Sequence, residues 1–385
     1  MSLVVSAWLL FNWLIGSPPK ASPKPLDITT QLELAKLAFA TVAGLGALVA
    51  LVTAYRKQRI DEVAQILARQ VARDTNHDAT ERRITDLFGQ SVEQLGHEQA
   101  PVRLGGLYSL ERLAQDNPDH RDTVVSVICA YLRMPFLAQR APGVARQGVT
   151  YPLELLDTLD RPGQQELQVR LTAQGILTKH VFRSTHSNSN YWPGIHLDLS
   201  GAELIHFSLS ECKVRIANFE GARFIGGAGF RKAEFTQIAT FIGASFQGMA
   251  NFKEANFTHS ANFDGAIFQG ATDFTKSTFG SMVTFSGTSF DNDVNFTEAK
   301  FSGSAIFTSA KFTAATHFNQ ASLRECTFYG SEFSGFAVFD SARFHAEPDF
   351  DGASASHPND DHSWPGRWRT DPTAATGLAP LVSWE

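Results

Sequence analysis

The feature that most constrains this chain is a phenylalanine that returns at short, regular intervals from Phe219 to Phe350. The steps between successive phenylalanines alternate between five and six residues over most of this stretch. A small residue stands two positions before most of them, as Ala250 stands before Phe252. A fixed short period of this kind predicts one structural unit that is stacked on copies of itself.

A five-residue step matches neither the 3.6-residue turn of a helix nor the two-residue alternation of a long strand. Short strands joined by tight turns do match it, with the phenylalanine and the small residue directed inward and the polar residues between them directed to solvent. Sides of five, six, five and six residues give a coil of about 22 residues, so residues 199–350 predict roughly seven coils. Backbone hydrogen bonds between coils would repeat at about 4.8 Å and give a rod about 30 Å tall.

The inward phenylalanines predict a structural core. A platform for nucleic acid would instead need exposed aromatic rings interleaved with Lys and Arg. Residues 199–350 carry 15 acidic and 11 basic side chains, a net charge of −4, without a basic stripe. The predicted core ladder consists of Phe219, Phe224, Phe230, Phe235, Phe241, Phe246, Phe252, Phe257, Phe263, Phe268, Phe274, Phe279, Phe285, Phe290, Phe296, Phe301, Phe307 and Phe312.

The repeats resemble those of the bacterial pentapeptide-repeat proteins, which pair a small residue with a central Leu or Phe, as in Ala217-Asn218-Phe219-Glu220-Gly221. The resemblance implies a right-handed quadrilateral β-helix, here over residues 188–350. The strict five-residue spacing of that family holds over residues 199–224 and 318–333, and elsewhere one residue is added in every second step. We expect a bulged or widened corner at each addition. The added residues are Gly227, Ile238, Met249, Ser260, Ala271, Met282, Asp293 and Ser304.

Two apolar segments near the start predict attachment to a membrane. Residues 37–54 contain no charge, and Tyr55, Arg56 and Lys57 follow as an interfacial anchor on the cytoplasmic side. Residues 3–16 form a shorter apolar segment without the charged start of a signal peptide. We interpret this segment as a first span, with an interfacial anchor or a shortened gene start as the alternatives. Residues 1–58 are therefore expected to form a transmembrane hairpin with an external loop over residues 17–36, and the bulk of the chain is expected in the cytoplasm.

Residues 59–187 predict a small α-helical module. Apolar residues keep a helical period through residues 60–71 and again in three later stretches. The first of these ends at Gly96, the second runs from Pro101 to Asn117-Pro118, and the third begins at Asp122, which is expected to cap it. Short helices of this kind pack in pairs. Residues 91–96 and 102–113 also resemble the helical module that precedes the repeats in membrane-anchored pentapeptide-repeat proteins. Arg103, Glu111 and Arg112 are either a partner-binding face or a solvated or internally paired helix surface.

The remaining sequence offers little chemistry. It contains no GxSxG, GxxxxGK, HExxH or CxxC motif, and the glycines around Gly227 are interpreted as a corner of the repeat. His357, Asp360, Asp361 and His362 are neighbours without a scaffold that would fix them around a metal ion. We therefore predict no catalytic residue, no cofactor and no metal. Cys129, Cys212 and Cys326 are predicted to be buried reduced thiols.

The leading hypothesis is a non-enzymatic, membrane-tethered scaffold that presents the β-helix to an unidentified cytoplasmic protein, with no nucleic acid bound. The polar tail, residues 351–385, holds Trp364, Trp368 and Trp384, of which one or two would cover the last coil. Small residues four apart, Ala43 with Ala47 and Gly46 with Ala50, either pack helices into a homo-oligomer or reflect ordinary composition.

An alternative function comes from the resemblance: a DNA-mimicking rod that binds gyrase or another type II topoisomerase, which requires a strongly negative rod. An enzyme is the third hypothesis and would need a concave site with perturbed titratable groups.

Overall fold

The computed structural model of the protein describes residues 27–136, 159–183, 190–356, 362–366, 368–371 and 379–383, together with Val5, Trp8, Leu9 and Trp13. The chain divides into two units, Met1–Arg82 and Arg83–Glu385. Apart from those four isolated residues, the predicted first span, residues 3–16, lies outside the described residues.

The first long helix, α1, comprises Ile28–Leu95. It contains a segment that is long and apolar enough to cross a membrane, and no part of that segment is buried inside the protein. The helix ends where the sequence predicts, because the N–H of Gly96 donates to the carbonyl oxygens of Val92 and Glu93.

Two expectations for this region are wrong. The loop predicted over residues 17–36 is helical from Ile28 onward. The stretch of residues 84–95, predicted as a separate helix, continues α1. The physical reason is that residues 55–88 contain no Pro or Gly, so the backbone stays helical where the apolar pattern is lost.

Three further helices lie in the second unit: α2 (Ala100–Asp116), α3 (Arg121–Arg133) and α4 (Arg161–Val181), with a 3₁₀ turn, Pro118–His120, between α2 and α3. A proline in the first turn of α2 starts that helix without loss of a hydrogen bond. The expectation that Asp122 caps α3 is wrong: the N-cap is His120, and Asp122 lies in the first turn. There its negative charge still favours the helix N-terminus. Asp160 caps α4 by accepting a hydrogen bond from the N–H of Gly163 at 2.8 Å.

From His196 the chain forms a β-solenoid of about 7 turns. Its strands pair in parallel and stack in four ladders, one for each side of the coil. Ladder 1 contains His196–Asp198, Ile216–Asn218, Ala239–Thr240, Ala261–Asn262 and Val283–Thr284. Ladder 2 contains Glu203–Ile205, Arg223–Ile225, Ser245–Phe246, Ile267–Phe268, Ser289–Phe290, Lys311–Phe312, Glu332–Phe333 and Ser354–Ala355.

The other two ladders complete the coil. Ladder 3 contains Ala228–Gly229, Ala250–Asn251, Thr272–Asp273, Val294–Asn295, Thr316–His317 and Ala337–Val338. Ladder 4 contains Lys213–Val214, Glu234–Phe235, Asn256–Phe257, Thr278–Phe279 and Arg343–Phe344. Two longer strands, Lys300–Ile306 and Ser322–Thr327, join ladder 4 by their first residues and ladder 1 by their last.

In the middle of the solenoid successive coils pair at a step of 22 residues, as Phe224 pairs with Phe246. The step is 20 residues where Leu204 pairs with Phe224 and 21 residues where Phe312 pairs with Phe333. The added residues lie at the corners, except Ser304, which lies within the strand Lys300–Ile306. Of the two expected forms, a bulge or a widened corner, the bulge occurs among the described strand pairs only near Ser304. Between Gly227 and Asp293 each coil carries its two extra residues at the same two corners, so the ladders stay in register and the N–H of Ala228 still donates to the carbonyl of Met249. A register shift occurs between Phe301 and Ser304, where the step to the next coil shortens and Ser304 pairs with Glu325.

Aromatic rings fill the interior. All eighteen phenylalanines of the predicted core ladder are buried, none more than 3% exposed. Within a ladder the rings stack nearly parallel, with centroids 4.4 Å apart for Phe224 and Phe246 and 5.3 Å apart for Phe290 and Phe312. Between ladders 1 and 3 they meet edge to face, as Phe241 and Phe252 do at 5.7 Å and 88°. The strand spacing imposes the stacking, and the edge-to-face contacts add a geometry that aromatic pairs prefer.

Two corners of each coil need a left-handed backbone. At one corner this conformation falls mainly on glycine, for example Gly243 and Gly265, which adopt it without steric cost. At the opposite corner it falls on Lys and Glu, for example Lys276 and Glu298, where it costs each residue about 1 kcal/mol. Asn or Asp three residues before the left-handed residue helps to form these turns: before Gly265, Asn262 Oδ1 accepts from the N–H of Asp264 at 2.8 Å.

Helix α4 covers the first coil. The side-chain amide of Gln174 donates to the carbonyl of Ile205 at 2.9 Å and accepts from the N–H of Ile205 at 3.0 Å. The amide thus takes the place of a neighbouring strand at an open sheet edge. Trp192 stacks on His180 with centroids 3.7 Å apart, and its Nε1 donates to Gln115 in α2.

The tail covers the last coil. Ser354–Ala355 pairs antiparallel with Ala379–Ser383, which in turn pairs with Trp368–Thr370. The rings of Trp364 and Trp368 contact Phe350 at 5.8 and 5.6 Å. This agrees with the expectation that one or two tryptophans cover the end of the rod, and Trp384 lies outside the described residues.

Candidate interaction surfaces

The described residues contain no group of three or more His, Cys, Asp or Glu side chains that could hold a metal ion. Of the tail residues considered for metal binding, His357, Asp360 and Asp361 lie outside the described residues. His362 uses both ring nitrogens, since Nδ1 accepts from the N–H of Ala337 at 3.2 Å and Nε2 lies 3.0 Å from the carbonyl of Ser356. This histidine therefore joins the tail to ladder 3.

The three cysteines are buried free thiols, which confirms their predicted state. Burial raises the pKa of Cys129, Cys212 and Cys326 to about 12 in each case. A thiol with so high a pKa carries almost no thiolate at neutral pH and is a poor nucleophile.

The charged residues of α2 are paired within the module, as one of the sequence alternatives proposed. Arg103 forms a salt bridge with Glu166 at 3.1 Å. Glu111 accepts from Lys179 at 2.7 Å and lies 2.8 Å from His180 Nε2. Burial raises the pKa of the Glu111 carboxyl, but the hydrogen bonds and charges of Lys179 and His180 outweigh it, so its pKa lies below the ordinary value. These contacts hold α2 against α4.

Arg112 differs from its two neighbours on α2. Its side chain is 86% exposed and faces Asp116 at 3.8 Å on the same helix. An exposed pair of this kind contributes little to stability. Arg112 is therefore the member of the predicted set that remains accessible.

A polar network lies beside a cavity of about 470 Å³ at the ends of α2, α3 and α4. Arg170, 2% exposed, donates to Glu166 at 2.9 Å and to the carbonyl of Leu132 at 3.0 Å. The hydroxyl of Tyr131 donates to Glu166 at 2.8 Å. Burial, together with the charge of Glu166, raises the pKa of Tyr131. The network pairs each charge with a partner, so we interpret it as a structural junction.

One edge of the solenoid carries charges of alternating sign. The left-handed corner before ladder 4 brings together Lys232 with Glu254 at 3.9 Å and Lys276 with Glu298 at 3.5 Å. All four side chains are between 35% and 52% exposed. Pairs this exposed contribute little to stability, but they neutralise the edge.

A groove of about 1030 Å³ lies on ladder 4 near the C-terminal end of the solenoid. Lys300, Ser322 and Arg343 stand side by side on three successive coils. Lys300, Arg324 and Arg343 are exposed, and none of them has a carboxylate within 4.0 Å among the described residues. The groove is lined by Glu298, Lys300, Phe301, Ser302, Gln320, Ser322, Arg324, Ser341, Arg343 and His345.

Sequence reasoning missed this groove because its residues are about one coil apart in the chain. A signal was present: when the repeats are aligned coil by coil, Lys300, Ser322 and Arg343 fall in one column. The search for a basic stripe along the linear sequence could not find it, since the intervening residues belong to the other three ladders.

Comparison with known proteins supports the repeat assignment. The family model for pentapeptide repeats (9 copies) matches residues 209–256, 230–278 and 252–300. Comparison with curated proteins and with solved structures finds no significant match. The matched segments lie within the ladders described above. The chain therefore contains pentapeptide repeats, and these repeats form its β-solenoid.

Proposed function

We propose that the protein is a non-enzymatic, membrane-tethered scaffold that presents its β-solenoid to a cytoplasmic partner protein. The observation that carries the proposal is the solenoid itself: its interior is filled with phenylalanine, both ends are covered, and its outer faces are available along about 7 turns. Such a rod offers a rigid surface to a partner. A pentapeptide-repeat solenoid is a structural and interaction fold.

The membrane tether rests on the apolar segment of α1, which is long enough to cross a bilayer. Tyr55, Arg56 and Lys57 follow this segment, which favours a cytoplasmic location for the residues after it. The hairpin form of the anchor and the right-handed sense of the solenoid remain parts of the proposal.

The DNA-mimic alternative has less support. A rod that replaces duplex DNA needs a strongly negative surface. Here residues 199–350 carry a net charge of −4, one edge alternates in sign, and one groove is basic. No observation on the described residues favours this function over a general protein scaffold.

The test is capture of partners from chemically crosslinked membranes, with the full chain beside a chain that ends at Asn190, followed by mass spectrometry. We expect a cytoplasmic protein that is recovered with the full chain and lost with the shortened chain. Recovery of topoisomerase subunits with the full chain would favour the DNA-mimic function. Identical sets of proteins from both chains would contradict the scaffold proposal.

A further inference from the structure

We propose that the groove on ladder 4 binds an acidic peptide segment of a partner protein. The proposal rests on the scaffold function and specifies which surface of the rod engages the partner and by which chemistry. It follows from three properties of the groove: its cations without a carboxylate partner, their spacing, and its open shape.

The cations of this groove differ from those of the preceding coils. On the earlier coils of ladder 4, Lys213 pairs with Glu234 at 2.6 Å, and on the adjacent edge Lys276 pairs with Glu298 at 3.5 Å. Lys300, Arg324 and Arg343 have no such carboxylate among the residues that the structure describes. Glu298, the acidic residue of the groove lining, is already engaged by Lys276. Arg324 donates only to the carbonyl of Ser302, at 3.5 Å. Three like charges without a carboxylate partner on one face favour an anion from outside the chain.

Their spacing fits carboxylates on an extended chain. Lys300 and Arg343 belong to one column, two coils apart, which places them about 10 Å from each other along the rod. Arg324 and His345 belong to a second column, two residues further along their strands. Alternate side chains of an extended peptide are about 7 Å apart, which is also the separation of these two columns. A peptide with acidic residues at alternate positions can therefore reach both columns at once.

The groove also provides uncharged donors between the cations. The hydroxyls of Ser302, Ser322 and Ser341 and the amide of Gln320 line it. The hydroxyl of Ser322 lies 3.1 Å from His345 Nε2, so this serine connects the two columns. Hydroxyl and amide donors are suited to carboxylate and main-chain carbonyl oxygens of a bound peptide.

A peptide fits this surface better than nucleic acid or a small anion. Duplex DNA presents one charge per about 1.7 Å and is bound by extended basic surfaces, whereas the basic residues here span three coils of a rod that is otherwise slightly acidic. Small-ligand sites are concave and enclose most of the ligand. This groove is open, and its cationic side chains are exposed.

The test uses fluorescence anisotropy with the full chain in detergent micelles at about 50 mM salt, where surface charges are weakly screened. The probe is a labelled decapeptide of alternating aspartate and glycine, and the control probe carries asparagine in place of aspartate. We expect saturable binding of the aspartate peptide and at least about tenfold weaker binding of the asparagine peptide, since most of the interaction is charge.

Matched variants locate the binding. The double variant Lys300→Glu, Arg343→Glu should weaken binding of the aspartate peptide at least about tenfold. The control Lys253→Glu, Lys311→Glu makes the same change in charge at the turn after ladder 3 and on ladder 2, and should leave binding within about twofold. Circular dichroism of both variants verifies that the solenoid is intact.

Several results would overturn the proposal. Equal loss of binding in both double variants would assign the effect to total charge. Tighter binding of a ten-residue oligothymidylate than of the peptide would assign the groove to nucleic acid, and complete displacement of the peptide by millimolar inorganic phosphate would assign it to small anions. Absence of peptide binding would reject the groove and leave the scaffold function to the capture experiment, so the two failures are distinguishable.

Discussion

At the scale of single residues, the interior of the solenoid separates positions that look alike in the sequence. Ser277 and Ser331 each stand two residues before a core phenylalanine, and both are fully buried. The hydroxyl of Ser331 donates to the carbonyl of Phe307 at 2.6 Å. The hydroxyl of Ser277 has no hydrogen-bond partner. A buried hydroxyl without a partner retains the cost of its desolvation.

The substitution Ser277→Ala should therefore raise the free energy of unfolding by about 1 kcal/mol. The equivalent positions in adjacent coils, Ala255 and Ala299, show that alanine fits this column. The matched control Ser331→Ala removes a satisfied hydrogen bond and should lower the free energy of unfolding by roughly 0.5–1 kcal/mol. Urea denaturation of the two variants measures both values. A loss of stability in Ser277→Ala equal to that in Ser331→Ala would contradict the assignment.

The phenylalanine core gives a larger effect. Phe252 is 0% exposed and stacks on Phe230 and Phe274 at 4.6 and 4.7 Å. Phe252→Asp should unfold the repeat region, because an unpaired buried carboxylate costs several kcal/mol. Phe252→Leu keeps an apolar side chain and should cost only about 1–2 kcal/mol. Circular dichroism and thermal melting report both results, and an unchanged melt for Phe252→Asp would show that the ring is not in the core.

The contact between α2 and α4 should depend on pH. Because the pKa of Glu111 in the folded chain lies below its ordinary value of 4.5, the stability it contributes is present above that pH and is lost as the pH falls through the lowered folded value. Glu111→Gln should reduce stability by about 1 kcal/mol at pH 7, whereas the control Arg112→Gln changes an exposed side chain.

Amide hydrogen exchange of α4, measured from pH 7 to pH 3, tests this contact. Exchange in the parent chain should approach that of Glu111→Gln as the pH falls, while Arg112→Gln follows the parent throughout. A constant difference between the parent and Glu111→Gln over the whole range would contradict the role given to this carboxylate.

At the scale of elements, the features that could be predicted are those that depend on residues close together in the sequence. The period of the phenylalanines predicted the coil and its corners, and Gly96 and Pro118 marked helix ends. The continuity of α1 was not predictable from apolar periodicity, since residues 72–83 lose that pattern while the backbone stays helical. The contact of Gln174 with Ile205 was also hidden, because it joins a helix to a strand edge across 31 positions in the chain.

The role of the apolar segment in α1 can be tested by deletion. Removal of residues 37–54 should release the protein from membranes into the soluble fraction, since the apolar stretch that crosses the bilayer is lost. Removal of residues 3–16 is the comparison and should leave the chain in the membrane fraction. Alkaline extraction followed by immunoblotting measures both. Retention of the chain without residues 37–54 in the membrane would place the anchor elsewhere.

At the scale of the whole molecule, the regular step of the coils brings residues that are distant in the sequence together on one face of the solenoid. Residues about one coil apart stand next to each other, so three separated residues, Lys300, Ser322 and Arg343, become one row. The core could be predicted from sequence because every inward position obeys one rule. The groove could not, because outward positions are free to vary and the shortened step near Ser304 shifts the alignment.

The most direct measurement is partner capture with two chains that each lack about two coils: one without residues 243–286 and one without residues 298–340, which removes seven of the ten residues that line the groove. Both deletions keep the covers at the two ends and keep the ladders in phase, so both should show the circular dichroism of a β-solenoid. We predict that the partner is lost with the second deletion and retained with the first. Recovery of the same partners from both folded deletions and from the full chain would contradict the claim that the groove is the binding surface of the solenoid.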